Sequence, residues 1–113
     1  MEQFINETDQ KLKKNFSAEI INFGHIGDNN LHYNVSVLKN MKPIEEKRVL
    51  KKVNDIVYSH TTKFGGSISA EHGIGQLRKD DLKKYKSRFE LEKMKSIKKI
   101  FDPFDIFNPG KIF

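Results

Sequence analysis

The feature that most limits what this chain can fold into is a pair of short apolar runs on either side of one turn. Residues 18–23 favour a strand. In residues 31–38, Leu31, Tyr33, Val35 and Val37 alternate with His32, Asn34 and Ser36. Period-two alternation gives a strand one apolar and one polar face. Between the runs stands Gly27-Asp28-Asn29-Asn30, which is turn chemistry because Asp and Asn tolerate left-handed backbone. The segment predicts an antiparallel β-hairpin.

Helical periodicity surrounds it. Residues 2–16 place Ile5, Leu12 and Phe16 near one face with Lys on the other. Pro43 suits a first helical turn. Val49, Leu50, Val53, Ile56, Val57 and His60 then follow i, i+3, i+4, i+7 spacing until Gly65-Gly66. Residues 67–71 predict a short third strand, with Ile68 and Ala70 on one face and Ser67, Ser69 and Glu71 on the other. Residues 79–85 predict a short helix. Ser87-Arg88-Phe89-Glu90 is a capping box, opening a helix with Leu91, Met94, Ile97 and Phe101 on its core face. Asp102-Pro103 stops that helix, and the tail is irregular. The predicted order is α-β-β-α-β-α-α, an α+β fold with helices on a mainly antiparallel sheet.

Composition bounds the function classes. At 113 residues the chain is one domain's worth. Ile, Leu, Val and Phe total 33 of 113, above the level of about 20% at which disorder becomes the default, so a small core is expected. The absence of Cys excludes disulfide scaffolds, thiol catalysis and Cys-type zinc fingers. No apolar run approaches the ~18 residues of a membrane span. The polar start has no apolar stretch of the signal-peptide kind, so a soluble, cytoplasmic chain is expected. The net charge of +6 falls in residues 76–100, which carry ten Lys/Arg and four Asp/Glu. A nucleic-acid footprint is one reading of that segment. Against it, 18 of the 21 cations are Lys, whereas base readout and bidentate phosphate clamps favour Arg. Solvated helix faces are the expected role.

Three of the four histidines sit beside glycine-rich turns: His25 and His32 in the hairpin, and His72 in Glu71-His72-Gly73. A turn centred between Asp28 and Asn29 would set His25 directly opposite His32, with Cβ atoms about 4.5–5.5 Å apart. Two imidazoles so placed can share a metal at about 2.0–2.1 Å. Asn34 falls on the same face, one pleat further along. Glu71 would add a carboxylate, and two His plus one carboxylate with an open position is a catalytic rather than structural metal arrangement. Taken alone, the residues also allow a plainer account. In it His25 and His32 are cross-strand or turn residues, Glu71 is a surface carboxylate and His72 a turn residue. His60, on an apolar helical stripe, reads as structural.

Three motifs in order and spacing, GHIGDNNLHYNV, GGSISAEHGIGQLRKD and FDPFDIFNPGKIF, resemble the C-terminal substrate ("cap") domain of FAD-linked oxidases. That family includes D-lactate dehydrogenase, the flavoprotein of glycolate oxidase and D-2-hydroxyglutarate dehydrogenase. The likeness runs from about Phe4 to Phe113. It implies a partial ferredoxin-like cap domain over residues 1–113, without the flavin-binding domain. It implies His25, His32 and Glu71 as ligands of a divalent metal, zinc or manganese, and His72 as the base that accepts the substrate's hydroxyl proton. It also implies Asn34 as a substrate contact, and Asn108 and Lys111 in a tail near the flavin domain.

The chemistry is coherent. A metal on the hydroxyl and carboxylate of a 2-hydroxy acid orients it and lowers the hydroxyl pKa. An imidazole, ordinarily titrating near ~6.5, can take the proton, and the α-hydrogen leaves as hydride to the flavin. One departure is Asp28-Asn29-Asn30, where the family usually has Asp-Gly-Asn. Asn adopts positive φ more readily than most residues, so the turn is expected to survive. The expected partners are a flavin-binding domain, supplied by a longer chain or a separate polypeptide, and a small 2-hydroxy acid. Neither a membrane nor nucleic acid is expected. By itself the chain would be an inactive fragment. The alternatives are a free-standing metal- or small-molecule-binding module without redox activity, or a basic nucleic-acid-binding protein.

Overall fold

The structure, a computed structural model, describes residues 1–37 and 40–113. Its elements run α1 (Glu2–Asn15), β1 (Ala18–His25), a single 3-10 turn (Ile26–Asp28), β2 (Asn30–Val37), α2 (Pro43–Lys63), α3 (Lys79–Tyr85) and α4 (Arg88–Phe101). Helices and one two-stranded antiparallel sheet make an α+β fold. The chain divides into two compact units, Met1–Ala70 and Glu71–Phe113. Leu38, the last residue of the predicted second strand, lies outside the described residues.

In the first unit, alternation decides which sheet face is covered. Ala18, Ile20, Leu31, Tyr33, Val35 and Val37 are half-buried, while Glu19, Ile21, Phe23, Asn34 and Ser36 are exposed. The α1 and α2 helices bury Thr8, Leu12, Val53 and Tyr58, with Leu12 and Thr8 wholly inaccessible. The ring of Phe4 meets Tyr33 edge-on at 5.8 Å and Phe64 at 6.0 Å. Such edge contacts suit the ring quadrupole. Lys63 on α2 pairs with Glu7 on α1. Tyr33 donates to Asp9 across the α1–β2 contact. Burial, and then the Asp9 carboxylate beside it, hold the Tyr33 phenol protonated well above its ordinary range. His60 keeps its structural reading, with its Nδ1 lying 2.8 Å from the Ile56 carbonyl of its own helix.

In the second unit, Ser87 caps α4 as the capping box predicts. Its hydroxyl accepts from the Glu90 amide at 3.2 Å and donates to the Glu90 carboxylate at 2.7 Å. Leu82 and Asp102 are buried. Burial pushes the Asp102 carboxyl up. The Lys98 ammonium and the Ile106 and Phe107 amides outweigh that effect and hold it below the ordinary carboxylate range.

Two expectations are corrected. Residues 67–71 form bends and irregular backbone, with no strand. Ser67 turns its hydroxyl back to the Ser69 carbonyl at 3.2 Å and accepts the Ser69 amide at 3.3 Å. These local bonds compete with a sheet ladder. The predicted core face of α4 is also largely open. Leu91 and Met94 are half-buried, but Ile97 is 56% exposed and Phe101 79%. Among the described residues the second unit has no strand, so this stripe has no sheet of its own unit to lie on.

Candidate functional site

The hairpin register sets where the histidines fall. Ile26–Asp28 forms a 3-10 turn closed by the Asn29 amide on the Ile26 carbonyl at 3.2 Å. Asn29 takes the left-handed conformation, φ 54°, the role a glycine would otherwise fill after such a turn. The loop therefore occupies residues 26–29, and His25 pairs with Asn30, Gly24 with Leu31 and Phe23 with His32. Gly24 permits this approach, since a Cβ there would lie 2.2 Å from the Asn30 carbonyl oxygen.

The expected direct opposition of His25 and His32 is thus corrected: they are diagonal neighbours. Both still point to one face, because Asn30, opposite His25, is two residues from His32. Diagonal Cβ atoms stand about 7–8 Å apart or somewhat less, within reach of long side chains. The two rings converge, each offering a nitrogen within 4.8 Å of the other. Two nitrogens about 2.1 Å from one ion lie at most about 4.2 Å apart, a gap that small ring rotations close. The donor set suits a borderline-soft divalent ion.

His25 is exposed and His32 half-buried. His32 stacks on Phe23, ring centroids 4.7 Å apart and planes 9° from parallel. Phe23 is therefore a neighbour of the paired imidazoles that sequence reasoning missed. Its signal was an aromatic on the hairpin's polar face, visible only once the register was known. Asn34 lies exposed on the same face, opposite Ile21.

The remaining predicted site residues belong to the second unit. Glu71 and His72 are exposed and stand in the bends that open it. Asn108 is exposed with φ 48°. Lys111 is half-buried and donates its amide to the Asn108 carbonyl at 3.3 Å. Lys111 lines a concavity of about 370 Å³ with Lys95, Lys98, Lys99 and Asp102. Lysines suit phosphate, but this lining offers only one aromatic ring, Phe113, and no apolar slot for a flavin ring.

Several cations of the basic segment already face carboxylates. Arg88 pairs with Glu92 at 2.8 Å, Lys86 with Glu90 at 2.9 Å, Lys83 with Asp80 at 3.7 Å, and Lys98 with Asp102. Among the described residues no helix is long and apolar enough to cross a membrane.

A hairpin packed against α1, which α2 covers in turn, with paired imidazoles on its open face, is an α+β module that presents side chains from a sheet. The chain belongs to the family described as FAD linked oxidases, C-terminal domain, whose pattern matches residues 1–112. It is 43% identical over 111 residues to a D-2-hydroxyglutarate dehydrogenase of Stutzerimonas stutzeri, covering 97% of this chain and 24% of that protein. It is 39% identical over 111 residues to a D-lactate dehydrogenase of Anaerostipes hadrus, covering 97% of this chain and 23% of that protein. A mitochondrial D-2-hydroxyglutarate dehydrogenase of Arabidopsis thaliana is 39% identical over 95 residues, 84% of this chain and 16% of that protein. The chain therefore spans about a quarter or less of the length of these relatives.

Proposed function

We propose that this chain is the C-terminal part of the substrate-binding cap of an FAD-dependent dehydrogenase that oxidises a 2-hydroxy acid to a 2-keto acid. The observation that carries the reading is the family match along residues 1–112, joined to relatives named for two acids of one chemical class, D-2-hydroxyglutarate and D-lactate. The convergent His25 and His32 rings support it.

In this reading His25 and His32 hold a divalent metal, zinc or manganese, with Glu71 as the carboxylate ligand. A divalent ion held by these residues would supply Lewis-acid chemistry that makes a bound hydroxyl easier to deprotonate. His72 takes the hydroxyl proton, so the oxygen's electrons form the new C=O bond. FAD, when bound, would supply the acceptor for the hydride that leaves the same carbon. Asn34, on the His face of the sheet, hydrogen-bonds the substrate. Asn108 and Lys111 lie toward the flavin-binding domain. FAD is held by the part of the protein beyond this chain, so the chain is inactive alone.

Zinc titration by calorimetry tests the ligand assignment. The chain is expected to bind zinc, and His25→Ala or His32→Ala is expected to weaken binding by at least about tenfold, a floor set by what supporting residues alone contribute at such sites. Unchanged affinity in both variants would count against it. The purified chain is expected to show no flavin absorbance and no activity on D-lactate or D-2-hydroxyglutarate until co-expressed with a flavin-binding polypeptide. Stoichiometric FAD on the isolated chain overturns the division of labour.

A further inference from the structure

The tail after α4 is the most strained stretch of the described backbone. Asp105, Asn108, Gly110 and Ile112 all have left-handed φ, at 52°, 48°, 69° and 68°. Glycine adopts this conformation freely and Asn tolerates it, but a β-branched residue there is a genuine outlier. Backbone strain of this kind persists only where surrounding contacts over-determine it, and it collects at functional sites.

Those contacts lie at both ends of the tail. At the near end, buried Asp102 accepts the Ile106 amide at 2.8 Å and the Phe107 amide at 2.9 Å. Lys98 pairs with Asp102 and donates to the Phe107 carbonyl at 2.7 Å, and its ammonium lies 3.3 Å from the Asp105 carboxylate. At the far end, Lys79 donates to the Gly110 carbonyl at 3.0 Å and the Ile112 amide donates to the Gly75 carbonyl at 2.9 Å. Gly75 belongs to the irregular segment that opens with Glu71 and His72. Gly73 and Gly75 both take left-handed φ, and the backbone bond at its close, from the Arg78 amide to the Ile74 carbonyl, is long at 3.4 Å.

We infer that the C-terminal tail is a brace that fixes the segment carrying His72, with Asp102 and Lys98 as the positioning residues that hold the brace in shape. The inference rests on His72 being the proton acceptor proposed above. Asp102 folds the start of the tail back under α4, and Lys98 closes the fold from the other side. The chain then runs through its strained turns to deliver the Ile112 amide to Gly75. With that bond made, the two glycines flanking Ile74 lose their freedom, and His72 is held against one end of a fixed loop.

Amide hydrogen exchange and NMR on the full chain test this. In Asp102→Asn, which halves the acceptor set, and in the milder surface change Lys98→Met, the Ile112 amide is expected to exchange about tenfold faster, the scale of one lost hydrogen bond. The His72 backbone and ring resonances are expected to move with it. Amides in the middle of α4 are expected to stay protected, and Lys98→Arg is expected to restore the Ile112 protection. Unchanged Ile112 exchange in both variants overturns the brace. So does faster Ile112 exchange with unmoved His72 resonances. The zinc titration reads different residues, so a failure there leaves this result standing, and the reverse also holds.

Discussion

Truncating Leu12 to alanine separates the part of the hairpin unit that folds from the part that presents chemistry. Leu12 is 0% exposed on the inner face of α1. Losing a fully buried leucine removes its transfer free energy and leaves a cavity, together about 2–5 kcal/mol. The unit it serves, Met1–Ala70, has few buried side chains. At ~0.05–0.15 kcal/mol per residue, a unit of this length is stable by roughly 4–10 kcal/mol. Leu12→Ala therefore removes about a fifth or more of the unit's stability. On the opposite sheet face Ile21 and Phe23 are 56% and 55% exposed. Truncating Ile21 there forfeits less than about half of a 1.5–3 kcal/mol burial and opens no cavity.

Urea unfolding followed at the β1 and β2 amide resonances measures both. With a slope of about 1–3 kcal/mol per molar, a loss of about 3 kcal/mol moves the midpoint down by about 1–3 M. Ile21→Ala is expected to move it by a small fraction of that. Equal shifts for the two variants would refute the assignment of inner and outer faces. With it would go the claim that the histidine face can be altered while the fold stays intact.

The Glu7–Lys63 pair makes stability depend on pH in a fixed direction. Lys63, and then Gln3, hold the Glu7 carboxyl below its ordinary range. Its contribution is therefore present above that range and is lost as pH falls through the lowered value. Glu7→Gln is expected to be less stable than the parent near neutrality and equal to it in strong acid, as read by thermal melts across pH. An offset that stays constant with pH would contradict the pairing. At the other unit, Ser87→Ala removes the side-chain cap of α4 and is expected to lower stability by about 1 kcal/mol, with faster exchange confined to the first turn. Loss spread evenly along α4 would argue against a capping role.

Periodic segments were the legible part of this chain. The α3 boundaries at Lys79–Tyr85, the Pro43 start of α2 and the Ser87 cap all follow from local signals, because each depends on residues within a few positions of one another. The third strand was not legible. Ser67-Ile68-Ser69-Ala70-Glu71 alternates correctly, but a strand needs a partner edge, and serine hydroxyls supply a local alternative that periodicity does not register. The open face of α4 has the same origin. Its stripe at Leu91, Met94, Ile97 and Phe101 reports that apolar residues share a side, and says nothing of what lies against that side.

The histidine pair shows why a wrong register can still point to the right face. The turn chemistry of Gly27-Asp28-Asn29-Asn30 suggested a two-residue turn, and the 3-10 turn with left-handed Asn29 takes four residues instead. The pairing slipped by two positions, opposing His25 to Asn30. Side chains alternate with a period of two, so a slip of two keeps every residue on its side of the sheet, whereas a slip of one would have sent His32 into the core. Parity is fixed by the apolar alternation of Leu31, Tyr33, Val35 and Val37, which the helices demand. The finer offset is fixed by the loop and by Gly24, where the missing Cβ admits the Asn30 carbonyl. What the slip changed is the local company of His32: Phe23 is now opposite and stacks on its ring. Phe23→Leu should therefore free the His32 imidazole while leaving strand pairing unchanged. Zinc affinity weakened in that variant, with the hairpin amides still protected, would identify the stacked ring as part of the site. Affinity equal to the parent's would leave Phe23 as a packing neighbour only.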